Sequence, residues 1–233
     1  MSEDIPGRPD RRTLLRASIA GAIGLPHISQ ALTGLSAAGP AQIAAQTTSS
    51  SVDPITAATL EAFADTIVPG QKRFAGDVVV AGAAPGPSAV VAGFLDAMCM
   101  PVVVPQAELP TIAGGLNQYA QGYAATAGYT LNPTQPPFVA LPFAMRTGLA
   151  EYLLTTPGQF QQAALLLASI ASWSFDTAAA MSTTTAMSTG HPGLAWIGFP
   201  APNPDGVWRF PHNSYGRALA CLSPNTSPDG SPS

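Results

Sequence analysis

Charge is what this chain has least of. Of its 233 residues only 9% are Asp, Glu, Lys or Arg, against roughly 25% in an ordinary globular domain. Nucleic acid is not expected as a partner, because phosphate binding needs clustered Lys and Arg. Beyond the N-terminal segment the only bases are Lys72, Arg73, Arg146, Arg209 and Arg217, set against ten acids from Asp53 to Asp229. Histidine and cysteine are scarce too. Only His191 and His212 lie beyond that segment, with Cys99 and Cys221, and they show no recognised metal-ligand spacing, so no metal is expected. No Gly-x-Gly-x-x-Gly follows a strand signal, which speaks against a dinucleotide fold. No Cys-x-x-Cys-His occurs, which excludes covalent haem. Gly86-Pro87-Ser88-Ala89-Val90 lacks the second Gly of a nucleophile elbow. No catalytic or cofactor-binding residue is therefore expected in this chain. Long apolar runs are missing as well. Ala163 to Ala171 is too short to span a bilayer and is flanked by Gln161, Gln162, Ser172, Ser174 and Asp176.

What is present begins at the N-terminus. Asp10-Arg11-Arg12-Thr13-Leu14-Leu15-Arg16 precedes a Gly/Ala-rich apolar run from Ala17 to Leu35, and four of the nine Lys+Arg fall in the first sixteen residues. The pair Arg11-Arg12 in this setting reads as a twin-arginine export signal, an address rather than an anchor. Gly21, Gly24, Pro26, His27, Ser29, Gln30 and Gly34 make the run too polar and interrupted for a stable span. Small residues between Ala37 and Ala45 offer cleavage sites. Residues 1–45 are therefore set apart from the fold, and the expected destination is the periplasm, the cell envelope or the exterior, with the membrane met only in transit. In an oxidising compartment Cys99 and Cys221 are candidates for a disulfide. Two buried thiols, or bridges to another subunit, stand as alternatives.

The remainder, 46–222, is long enough for one domain with a core, and a hydrophobic share of 46% argues against disorder in its middle. Asp53-Pro54 starts a helix, Asp as N-cap and Pro at the first helical position. Leu60, Phe63, Ala64 and Ile67 follow at helical spacing until Pro69-Gly70 ends it. Gln71 to Pro87 reads as a loop. Further helices are predicted over Ser88–Met98, Glu108–Ala127 and Phe143–Thr155. A long apolar one, started by Thr156-Pro157 and running to about Met181, is expected to be central. About five helices and few strand signals make an all-α domain. From 188 to 222 the chain reads as an irregular Pro/Gly-rich arm, followed by a polar tail over 223–233 that is expected to be mobile.

That arm carries Trp196, Phe199, Trp208, Arg209, Phe210 and Tyr215, candidate interface residues because aromatic and Arg side chains dominate binding hot spots. The alternative is that the rings simply cover the helices. His191 and His212, each beside a proline in the arm, read as surface or interface residues. Asp65 and Asp96 read as capping or solvated.

Thr59-Leu60-Glu61-Ala62-Phe63-Ala64-Asp65-Thr66-Ile67-Val68-Pro69-Gly70 resembles the opening helix of the gluconate 2-dehydrogenase subunit 3 family. Ala83-Ala84-Pro85-Gly86-Pro87, then Phe94-Leu95-Asp96, are similar to it in order and spacing, and Gly198-Phe199-Pro200-Ala201-Pro202 resembles its C-terminal Gly-Tyr-Pro-Gly-Pro turn. Phe199 stands where that turn has Tyr, Ala201 where it has Gly, and Gln71-Lys72-Arg73 where an Asp-rich stretch often follows, the pattern of a divergent branch. The resemblance implies a small, non-catalytic subunit that brings the export signal to a large FAD-dependent oxidoreductase of the glucose–methanol–choline (GMC) type. In some such systems a cytochrome c accepts the electrons. The FAD and the catalytic base would belong to the large chain. The rival reading is a free-standing extracytoplasmic helical enzyme or ligand-binding protein using His191 and His212.

Overall fold

The computed structural model describes residues 52–100 and 102–199. The export signal with Arg11 and Arg12, together with Trp208, Arg209, Phe210, His212, Tyr215 and Cys221, lies outside the described residues. Of the described residues, those up to Ile197 belong to one compact unit, and Gly198 and Phe199 to a second.

Helix α1 (Pro54–Ile67) begins as the sequence predicts. Asp53 sits in extended backbone and its Oδ1 accepts from the amides of Ile55 at 3.1 Å and Thr56 at 2.9 Å. The second predicted helix is cut short. Only α2 (Phe94–Met98) is helical, because Gly93 takes φ +87°, a left-handed conformation that separates it from the turns over residues 89–92. A 3-10 turn (Gln106–Glu108) leads into α3 (Leu109–Thr126), where Leu116 and Tyr123 are buried and Tyr119 is half-buried. A short α4 (Pro137–Ala140), not foreseen, precedes α5 (Phe143–Thr155), which has its predicted bounds.

Helix α6 (Gln161–Asp176) starts later and ends sooner than predicted; Ala178 takes φ +53°, which stops it before Met181. It is not the central helix either. Leu165 and Trp173 stand 47% and 48% exposed along its outer side. The centre is α1, which packs against α2, α3, α4, α5 and α6. Its small residues Thr59, Ala62, Ala64 and Thr66 let neighbours approach, while Leu60 and Phe63 fill the space between them. The predicted irregular arm is partly helical as well. Helix α7 (Thr183–Thr189) ends on Gly190 in the left-handed region, and α8 (Pro192–Trp196) follows His191 at its N-cap. The architecture is all-α, with eight helices and no strand among the described residues.

Candidate functional site

Between α1 and α2 the chain runs as a long loop without repeating hydrogen bonds, so side chains must satisfy much of its backbone. Asp65, in the last turn of α1, does part of this and is fully buried rather than solvated as its sequence context suggests. Its Oδ2 accepts from the Ala81 amide at 2.8 Å and its Oδ1 from the Gly70 amide at 3.4 Å. Burial pushes its carboxyl above the ordinary value, while those amides and the nearby charge of Arg146 pull it back.

Arg146, buried on α5, holds the same loop from the other side. Its Nε donates to the Leu141 carbonyl at 2.9 Å, and its terminal nitrogens donate to the carbonyls of Val79 and Val78 at 2.7 Å and to that of Val139. One guanidinium thus ties the loop to the corner between α4 and α5. Burial lowers its proton affinity, an effect that Asp65 and Asp77 oppose, and it remains a cation because arginine starts so high. Asp77 completes the clasp. Its Oδ1 accepts from the amides of Val79 and Val80, both at 3.1 Å, and its carboxylate pairs with Arg73, whose Nε lies 2.7 Å from Oδ2. Arg73 reaches Glu61 on α1 as well, at 3.2 Å.

The pH dependence follows from Asp77. Burial raises its carboxyl, but the Arg73 hydrogen bond, the Val80 amide, the Arg73 charge and the Val79 amide outweigh that, so the folded value lies below the ordinary 3.8. A depressed folded value means that the unfolded chain binds the proton first. The stabilisation is therefore complete above pH 3.8 and is lost as pH falls through the lower folded value. Asp77→Asn should leave a protein whose stability deficit relative to wild type narrows over that acid range. A deficit constant from neutral pH down to strong acid would contradict the assignment. Asp65 has the opposite sign. Its raised value favours the protonated fold, so its contribution weakens as pH rises through that value.

The fastened loop builds one wall of an open groove of about 620 Å³, lined by Gln71, Lys72, Arg73, Pro87, Val91, Pro192, Ala195 and Trp196. Two glycines set its ends. Gly86, at φ +84°, lies so close beneath Trp196 that a Cβ there would come within 2.6 Å of the indole Cε2. Gly82, at φ +74°, receives the stem of Lys72, whose Cγ would lie 2.9 Å from such a Cβ. The Gln71 amide donates to the Gly86 carbonyl at 2.8 Å and draws the two sides of the loop together.

Of the residues singled out by sequence, Trp196 stands at the groove and is 56% exposed; Phe199 is 37% exposed. Asp96 is solvated as expected, and Cys99 is a half-buried free thiol. His191 is a correction. It is buried rather than on the surface, its Nδ1 accepts from the Leu194 amide at 3.3 Å, and its Nε2 donates to the Ala92 carbonyl at 2.9 Å. Both ring nitrogens are engaged in joining α8 to the turn before α2. Sequence reasoning missed Lys72, Asp77 and Arg146 as a set; the signal was simply that a chain with so few charges keeps Asp65, Lys72, Arg73, Asp77 and Arg146 within this loop and its clamp. Among the described residues no group of three or more His, Cys, Asp or Glu side chains could hold a metal, and no helix is long and apolar enough to cross a membrane.

An all-α domain whose buried charges fasten one long loop, and whose loop presents an open groove, is the class this geometry defines. The chain belongs to a family of unknown function, DUF5987, whose match runs over residues 54–233 and so begins at the first residue of α1. No curated protein and no solved structure matches it.

Proposed function

We propose that this chain is a small, non-catalytic subunit that pairs with an exported FAD-dependent oxidoreductase of the GMC type and assists its folding and passage out of the cytoplasm. One observation carries the reading. The described ionisable side chains most deeply buried, Asp65, Asp77 and Arg146, are spent on loop backbone, while Trp173 and Trp196 stand 48% and 56% exposed. Large apolar side chains held at the surface are characteristic of interaction faces. The twin-arginine pair Arg11-Arg12 supports the same reading, since that route carries folded, cofactor-loaded proteins and a signal on the small chain would serve both. The FAD and the substrate chemistry belong to the partner, and a cytochrome c would be the electron acceptor where one is used.

The test is co-expression of the full chain, affinity-tagged, with the reading frames that neighbour it in its genome. A large chain with flavin absorbance should co-purify, and changing Arg11 and Arg12 to Lys should strand both in the cytoplasm. Recovery of this chain alone, colourless and monodisperse, would overturn the proposal.

A further inference from the structure

We infer that the groove between the clasped loop and α8 seats an extended segment of the partner protein, its carboxylate on Lys72 and an apolar ring or proline on the indole of Trp196. The inference rests on the accessory-subunit reading and names the site through which it would operate. Lys72 is the chain's only lysine. It is exposed at the groove rim, and none of the described carboxylates pairs with it. Its neighbour Arg73 is already neutralised by Asp77 and Glu61. The rim therefore offers one ammonium with no carboxylate in contact among the described residues, in a chain whose formal net charge is −4. Charge complementarity asks for a carboxylate there.

Apart from Gln71, the rest of the lining is apolar. Pro87 and Pro192 have fixed backbones, Val91 is 42% exposed, and the indole of Trp196 rests against Gly86. An aromatic platform flanked by prolines is the surface on which extended, proline-bearing segments dock, because neither side loses much conformational freedom. The buried clasp explains how so exposed a groove keeps its shape. Asp65 and Arg146 fix Val78 to Ala81, next to Gly82 and so beside Lys72's stem, and the Gln71–Gly86 hydrogen bond fixes the seat of Trp196.

Other occupants fit less well. Small-molecule sites enclose most of their ligand, whereas this groove lies open. A second copy meeting the same face about a two-fold axis would bring Lys72 towards its own counterpart.

The experiment uses the full chain co-expressed with its flavoprotein. Lys72→Glu should weaken recovery of the flavoprotein about tenfold, and Trp196→Ala about thirtyfold. Lys72→Arg, which keeps the charge, should retain it, and the Lys72 variants should show wild-type helix content. If Trp196→Ala fails to fold, the exposed Lys72→Glu still decides. Equal recovery by wild type and Lys72→Glu would overturn the groove while leaving the accessory reading standing. No flavoprotein with wild type would overturn both. Should Lys72→Glu instead dissolve a dimer of this chain, the occupant is a second copy and the inference fails. Unaltered protein recovery with loss of a bound small ligand would refute it in favour of an enclosed-ligand site.

Discussion

Arg146→Ala should lower the free energy of unfolding by about 3–5 kcal/mol, the range for breaking a buried charged network by removing one partner. The guanidinium is 3% exposed and donates to four carbonyls, those of Val78, Val79, Val139 and Leu141. Removing it leaves the Leu141 and Val139 carbonyls buried without this donor, frees the part-buried carbonyls of Val78 and Val79, and deprives Asp65 and Asp77 of a nearby cation. Arg146→Lys should restore little. An ammonium has three donors on a flexible stem and cannot reproduce a planar fork that reaches two separate segments. Denaturant unfolding of the three proteins measures this. A loss under about 1 kcal/mol for Arg146→Ala would show that the loop finds other partners. Because the clasp supports the groove, the same variant should also lose the fixed seat of Trp196.

Phe63→Ala should cost about 3–5 kcal/mol as well, but by a different mechanism. Phe63 is fully buried on the helix that all the larger helices share, with its ring centroid 5.9 Å from that of Phe138. Truncation removes apolar area from the centre and leaves a hole that α3, α4, α5 and α6 cannot all close towards at once. Helix ends and the clasp should be unaffected, so the variant separates packing from polar fastening. Thermal unfolding should show a single transition moved well down in temperature. A midpoint within a degree or two of wild type would mean that the centre of the core lies elsewhere.

Where the sequence was legible, a local chemical rule decided the outcome. Asp53-Pro54 marks the start of α1 because an Asx cap and a fixed φ act within four residues. The α5 bounds were readable because prolines flank it, Pro142 just ahead of its first residue and Pro157 just beyond its C-cap. The failures are instructive. The apolar length of α6 suggested a central position, yet Leu165 and Trp173 face outward, and composition alone cannot tell a buried face from one awaiting cover. His191, beside Pro192, read as a surface or interface residue of an irregular arm, although the same pair is a helix start in which the imidazole takes the capping role. Gly115 is a poor helix former inside α3, and only the packing shows its purpose. A Cβ there would lie 2.4 Å from the Phe160 ring, so the missing side chain is what lets α6 approach.

The site was the least legible part. Asp65 lies 16 residues from Ala81, and Arg146 lies 67 from Val79, so no window of sequence contains the clasp. Its partners are backbone groups, which every residue has and which no motif records. Exposed Asp and buried Asp look alike in a sequence. Only the surrounding packing distinguishes them.

The solitary lysine has a practical corollary. Apart from the α-amino terminus, the protein owns a single primary amine, and it stands on the rim of the groove. An acylating dye or biotin ester is consequently directed here, beside the α-amino group, without engineering. A photoreactive tag attached through that nitrogen would mark whatever settles beside the indole and map the contact to a peptide by mass spectrometry.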